Sequence, residues 1–313
     1  MTASVVRIGT RRSPLALAQA EWVASRLTGL GHAVELVPVV TEGDTSPAPL
    51  RQLGGTGVFV SALRDALVRG AVDVAVHSLK DLPTAPAAGL SLAAVPVRED
   101  PRDALVARDG LTLAGLPAGA RVGTGSPRRA AQLRALRPDL EVVDVRGNVD
   151  TRLGLVADAT VDAVLLARAG LVRLGRGDRI TEVIDPSVMV PAPGQGALAV
   201  EVRAVDGADR PLDSSLRTLD DPASRAAVTA ERAVLAGLDA GCSAPVGALA
   251  VADEPGFAEP VLSLHAVVAS VDGATIHRMS ITAPLAEAAE AGHTLALRLL
   301  ASADAVITGD VAR

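Results

Sequence analysis

A chain of 313 residues that is 49% hydrophobic can build several cores, and its length points to two or three domains. A net charge of -6 with 1% aromatics excludes a nucleic-acid surface made of basic patches and stacking rings. The one cysteine, Cys242, cannot form an internal disulfide, the five histidines make no metal-spaced cluster with it, and no apolar run of about 18 residues could span a bilayer. The opening residues lack a charged-then-apolar leader pattern, so a cytoplasmic protein that does not engage membranes is expected.

In chain order, the first two thirds alternate strand and helix. Runs rich in β-branched residues at 5–9, 34–40, 72–76 and 92–97 read as strands, with helical patterns at 15–27 and 59–69 between them, the signature of βαβ units and a mainly parallel sheet. This first α/β lobe gives way at the charged stretch Arg98-Glu99-Asp100-Pro101-Arg102-Asp103. Strands near 121–123, 140–145 and 163–166 belong to a second lobe. The run Val190-Pro191-Ala192-Pro193-Gly194-Gln195-Gly196 closes that lobe and leads to another strand at 197–203. Two such Pro/Gly crossings predict a hinged pair of lobes. From about Pro222 the pattern becomes a helix at 224–238, a glycine-flanked cysteine, strands near 246–251, 261–270 and 275–281, and a final helix from Leu285. That reads as a small α+β domain whose antiparallel meander turns at Asp272-Gly273. The expected boundaries are 1–98 with 196–216 for the first lobe, 99–195 for the second, and 217–313 for the small domain.

An internal echo supports the two lobes. Arg7-Ile8-Gly9-Thr10 is followed by Ser13-Pro14 and a helix, and Arg121-Val122-Gly123-Thr124 by Ser126-Pro127 and a helix. Serine as N-cap with proline at the first helical position is favoured start chemistry, because proline lacks a donor that would be orphaned there anyway. Each lobe thus presents a helix N-terminus at a strand end, where anions bind and where ligands of open α/β sheets sit. Arg11, Arg12, Arg128 and Arg129 crowd these two starts, although cations there oppose the helix dipole. Arg146-Gly147-Asn148, Arg152 and Arg173 lie downstream. An anionic ligand would relieve the conflict; pairing with the 36 acids on solvated faces is the plainer reading for any single arginine.

The 30 basic residues are 29 arginines and one lysine, Lys80, in Val76-His77-Ser78-Leu79-Lys80-Asp81-Leu82-Pro83. An ammonium and a guanidinium are not equivalent at a tight site, so the Lys80-Asp81 pair is a site candidate, with coding bias as the alternative. Asp81 at a strand end can orient a donor, shuttle protons or stabilise a cation, or can simply form a turn. Cys242 in Ala240-Gly241-Cys242-Ser243 is either a buried inert thiol or a nucleophile and attachment point. Gly54-Gly55-Thr56-Gly57 lacks the ending of a phosphate loop and reads as a tight or mobile loop before Phe59. A two-lobed binding protein for a dicarboxylate or oxyanion, and a phosphate-dependent transferase, are the rival readings.

Taken together these segments resemble the porphobilinogen deaminase family over nearly the whole chain. The motifs that carry the resemblance are Arg7-Ile8-Gly9-Thr10-Arg11-Arg12-Ser13-Pro14, Thr41-Glu42-Gly43-Asp44, His77-Ser78-Leu79-Lys80-Asp81-Leu82-Pro83, Gly123-Thr124-Gly125-Ser126-Pro127-Arg128-Arg129, Val145-Arg146-Gly147-Asn148, Pro193-Gly194-Gln195-Gly196 and Gly241-Cys242-Ser243. The resemblance implies two lobes like those of periplasmic binding proteins plus a small domain bearing the cysteine. It implies an enzyme that joins four porphobilinogen molecules into linear hydroxymethylbilane with release of ammonia. The growing polypyrrole would stand on a dipyrromethane cofactor, thioether-linked to Cys242. Asp81 is then the catalytic group. Lys80, Asp81, Ser126, Arg128, Arg129, Arg146 and Gly147 hold the cofactor, and Arg11, Ser13, Phe59, Arg146, Arg152, Arg173 and Gln195 meet substrate. No metal is implied. A monomer that passes its product to a downstream cyclising enzyme is expected. The chain departs from the family at Thr56, where many relatives have lysine, and at Ser46-Pro47-Ala48, where an acidic residue is common.

Overall fold

A computed structural model describes residues 5–40, 60–204, 211–241, 244–252 and 260–310, with side chains through 302. In chain order its elements begin with β1 (Val6–Thr10), α1 (Pro14–Gly29), β2 (Val34–Pro38), α2 (Ser61–Val68), β3 (Val74–Ser78) and β4 (Leu90–Ala94). There follow β5 (Asp103–Ala107), β6 (Arg121–Gly123), α3 (Pro127–Leu136), β7 (Glu141–Val143), α4 (Val149–Ala157), β8 (Ala163–Ala167), α5 (Arg168–Arg173) and β9 (Glu182–Val183). The remainder is β10 (Leu198–Arg203), α6 (Pro211–Leu219), α7 (Pro222–Gly237), β11 (Val246–Ala252), β12 (Val261–Ala269), β13 (Ile276–Pro284) and α8 (Ala288–Asp310). Contacts divide the chain into two compact units, Met1–Glu99 with Gly196–Arg225, and Asp100–Gln195 with Ala226–Arg313.

The first unit is a five-stranded sheet in the order β2-β1-β3-β10-β4. β1 runs parallel to β2 and β3, while β10 runs antiparallel to β3 and β4. Strand alternation sends Val74 and Val76 to one face, where they meet Ala20, Val23 and Leu27 of α1 and Leu216 of α6. Ala75 faces the other way, onto Leu63, Ala66 and Leu67 of α2. The helical spacing of both sets explains why these segments coil: each offers one apolar stripe to a sheet face. Burying a side chain such as Ile8 or Leu27 contributes about 1.5–3 kcal/mol, and Leu27→Ala would cost about 2–5 kcal/mol.

The second unit repeats the plan in the order β7-β6-β8-β5-β9, with β6 parallel to β7 and β8, and β5 antiparallel to β8 and β9. Its sheet is also covered twice: Leu105, Val122 and Leu165 pack with Leu133 of α3, and Ala104, Val106 and Val164 with Leu153 of α4 and Leu171 of α5. The expected mainly parallel sheets are therefore mixed, with one reversed strand in each. That strand is the one that follows a chain crossing: β5 after residue 99, β10 after residue 195. β5 begins at the last residue of the charged stretch where the first lobe gives way, and β5, α4, α5 and α6 go beyond the elements read from the sequence.

The expected meander is present as β11-β12-β13, antiparallel throughout. Ala248, Ala250, Leu262, Leu264 and Ala266 on one face pack against α7 and α8. The two helices cross closely because Gly292 of α8 lies on the Ala230 carbonyl and the Ala233 methyl of α7, leaving no room for a Cβ. Within this unit Glu231 of α7, fully buried, accepts hydrogen bonds from Gly194 N (2.6 Å) and Ala250 N (2.8 Å). Arg134 and Arg278 donate to Val271 O (2.8 Å) and Ser187 O (3.0 Å), so backbone carbonyls tie the meander to the preceding lobe.

Candidate functional site

In the first unit the ends of β1 and β3 and the start of α1 form a pocket of about 70 Å³. Ser13 caps α1 by accepting from Ala16 N (3.3 Å), with Pro14 as first helical residue, as the sequence predicts. Thr10 Oγ1 donates to Ala16 O (2.9 Å), which fixes the strand-to-helix turn. β3 ends at Ser78 and passes into a 3-10 turn, Leu79–Asp81, anchored by the buried Leu79, whose N–H donates to Ala197 O (3.0 Å). Lys80 and Asp81 are left half-buried on that turn. Arg11, Ser13, Gln19, His77, Ser78 and Asp81 supply the polar lining of the pocket. Gln19 is itself buried and donates from Nε2 to Ser78 Oγ (2.9 Å). One guanidinium, one carboxylate and several neutral donors thus surround a space at the carboxyl ends of the strands.

The second unit answers the conflict of cations at a helix start. Ser126 caps α3, with Pro127 first in the helix. Arg128 and Arg129, nearly out of solvent, converge on Asp103, which is fully buried. Arg128 Nη1 donates to Asp103 Oδ2 (2.7 Å) and Val190 O (2.7 Å). Arg129 donates to Asp103 Oδ1 from Nε (2.9 Å) and Nη2 (2.8 Å), and from Nη1 to Leu165 O (3.1 Å). Burial pushes the Asp103 carboxyl up, but the charges and hydrogen bonds of Arg128 and Arg129 outweigh it and hold the group well below the usual carboxylate range. The anion expected from outside is in part an internal one. It is delivered by strand reversal: β5 runs against β8, so its first residue, Asp103, pairs with the last residue of β8, Ala167, at the strand ends that face helix starts.

Gln195 is buried here too, donating from Nε2 to Pro101 O (2.7 Å) and Asp103 Oδ1 (2.8 Å) and accepting from Arg129 Nη2 (3.2 Å). Arg152 of α4 is half-buried, and its Nε is buried without a hydrogen-bond partner among the described residues. Burial, then the positive charge of Arg129, lower its pKa, with Asp144 acting the other way. Arg146 and Gly147 form the exposed turn before α4, with Arg146 Nε 3.9 Å from Asp144 Oδ2. Gly147 sits at φ +100, and a Cβ there would lie 2.7 Å from Thr151 Cγ2. Arg173 is half-buried in the last turn of α5.

The structure therefore gathers Arg11, Ser13 and Asp81 in one unit, and Arg128, Arg129 and Gln195 around Asp103 in the other, with Ser126 capping the helix that carries the two arginines. Cys242, Phe59, Thr41-Glu42-Gly43-Asp44 and Gly54-Gly55-Thr56-Gly57 lie outside the described residues. Sequence reasoning missed Asp103, Gln19 and the pair His77 and Glu201. The signal for Asp103 was a lone acid opening an apolar run, Ala104 to Ala107, concealed by the charges before it.

Two family models match the chain. The one described as porphobilinogen deaminase, dipyromethane cofactor binding domain, covers residues 6–210, and the one described as porphobilinogen deaminase, C-terminal domain, covers 225–301. The sequence is 54% identical to porphobilinogen deaminase 1 of Streptomyces coelicolor, over 100% of both chains. It is 53% identical to the porphobilinogen deaminase of Cutibacterium acnes, over 93% of this chain and 92% of the other. A solved ABC transporter periplasmic substrate-binding protein from Coxiella burnetii superposes with a TM-score of 0.41 at 17% identity, over 70% of this chain and 94% of that one.

Proposed function

The chain belongs to the porphobilinogen deaminase family, and from that premise we propose that it joins four porphobilinogen molecules head to tail into hydroxymethylbilane, with Asp81 as catalytic group and Cys242 as the attachment point of a dipyrromethane cofactor. The observation that carries the reading is the pocket of the first unit, where Asp81 stands with Arg11 and Ser13 at a strand end and a helix start.

The donor set of the second unit fits a group bearing several carboxylates. Arg128 and Arg129 bring two positive charges to the single negative charge of Asp103, and Arg152 retains a buried Nε–H with no partner among the described residues. Unpaired buried charge is costly, so surplus guanidinium favours an acidic ligand. Within the second unit Arg146, Arg152 and Ser126 would hold carboxylates directly, and Gly147 would let the backbone turn beside them. Arg128, Arg129 and Gln195 would act mainly through the field and shape they set with Asp103. When bound, the dipyrromethane supplies a primer that starts the chain.

Each porphobilinogen carries an acetate and a propionate, which Arg11 and the Ser13 hydroxyl would engage in the first unit. Asp81 would accept the pyrrole N–H through a carboxylate oxygen and stabilise the positive charge left on the substrate as ammonia departs. The same oxygen would then take the proton released as the new carbon–carbon bond closes. The three-part division at 1–98 with 196–216, 99–195 and 217–313 belongs to this reading. So do a monomeric state, a cytoplasmic location and transfer of product to a downstream cyclising enzyme. No helix among the described residues is long and apolar enough to cross a membrane.

The test is the intact mass of the denatured protein beside Cys242→Ser. An excess of two linked pyrrole units in the wild type, absent from the variant, is expected. A wild type that stays unmodified after incubation with porphobilinogen would overturn the assignment.

A further inference from the structure

A buried ionic cluster on the face of the first unit's sheet covered by α2 is not used by this mechanism. Glu201 of β10 is 4% exposed, although Leu198, Ala199, Val200 and Val202 around it are apolar core residues. Arg64 of α2 clamps it with two hydrogen bonds, Nε to Oε2 (3.0 Å) and Nη2 to Oε1 (2.8 Å). His77 of β3 brings Nε2 to 3.2 Å from Glu201 Oε2, within reach of charge attraction though outside the angular range of a formed hydrogen bond. Burial pushes Glu201 up, but His77 and Arg64 prevail and hold it down to about 2.

Position rather than stability accounts for this cluster. Replacing a buried ion pair by apolar side chains of similar volume is often neutral or stabilising, so the core by itself had no need of a charge here. The ladder between β10 and β4 slips between Val200 and Glu201, the extra residue, Ala93, lying on β4 beside the acid's partner Leu92. Such irregularities re-aim side chains and recur beside active sites. His77 pairs with Ala199, and Glu201 with Ala75, so the two side chains meet diagonally across one face of the sheet. Of the three residues, His77 is the one that lines the pocket with Asp81. The first residue of the 3-10 turn that presents Asp81 directly follows β3.

We infer that Glu201 is a positioning residue of the reaction: clamped by Arg64, it sets the His77 ring and with it the end of β3 that presents Asp81. The inference rests on Asp81 being the catalytic group. It assigns to Glu201 no contact with substrate.

The experiment compares Arg64→Met/Glu201→Leu, Glu201→Gln and Asp81→Asn with the wild type, all loaded with cofactor, by steady-state kinetics with porphobilinogen and by thermal unfolding. The double variant should keep a wild-type unfolding midpoint while kcat falls at least fivefold and KM changes less than twofold. A kcat within twofold of wild type in a folded double variant would overturn the inference, because a role in stability alone predicts that result. Should the double variant fail to fold, Glu201→Gln decides by the same criterion, since it keeps shape and loses only the charge. An active Asp81→Asn would bring down the catalytic reading instead. An inactive Asp81→Asn beside a fully active Glu201 variant would sink the positioning role alone.

Discussion

The two reversed strands each carry one buried acid, and the company each acid keeps differs. Asp103 of β5 faces two arginines and leaves the second unit with surplus positive charge at its helix starts. Glu201 of β10 faces one arginine and one histidine, so only one of its two partners is a permanent cation. A region that is to hold carboxylates benefits from the surplus, while a region where a cation forms on the substrate does not. The same topology thus supports two electrostatic settings, chosen by the residues at the reversed strand.

The most severe way to break this contrast is Asp81→Ala, which removes the carboxylate from the first unit's pocket. Turnover of porphobilinogen should fall by at least about a hundredfold with unchanged circular dichroism; activity within tenfold of wild type would refute the role. Next is Asp103→Asn, which leaves two buried guanidiniums short of their anion. It should cost about 3–5 kcal/mol in urea unfolding, because one partner of a buried ionic group is lost. A smaller penalty than that of Glu201→Gln would invert the comparison.

Gly147→Ala should destabilise by about 1–3 kcal/mol, since φ +100 disfavours any Cβ and Thr151 already fills the space. Ser126→Ala, which removes a helix cap, should cost about 0.5–2 kcal/mol. Thermal unfolding of these two variants measures both. Acid titration sharpens the comparison most finely. Glu201 has its folded pKa depressed from 4.5 to about 2, so its contribution is complete above pH 4.5 and lost as pH falls toward 2. Asp103 is depressed from 3.8, so its loss begins at lower pH. The single tryptophan, Trp22 on α1, reports the first unit by fluorescence. Its acid transition should flatten in Glu201→Gln, and an unchanged profile would show that Glu201 does not carry this dependence.

Much of the architecture was legible locally. Apolar alternation marked most strands, and Ser13-Pro14 and Ser126-Pro127 marked two helix starts, because capping is decided within four residues. β5 was not legible, because it opens with a charge at the end of the charged run 98–103. Its acid is stabilised by arginines 25 and 26 positions away and by Gln195, 92 positions away. Likewise nothing near Glu201 in the chain announces Arg64, which lies 137 positions before it.

By itself, then, the sequence determined the βαβ rhythm, the helix starts with their arginines, the Lys80-Asp81 turn after a strand and the family resemblance. All of these are patterns of neighbouring residues or of ordered motifs. Tertiary structure alone decided which strand reverses in each sheet and which acid meets which arginine. Strand order is a choice among distant pairings, and a carboxylate is made tolerable in a core only by partners that folding brings to it.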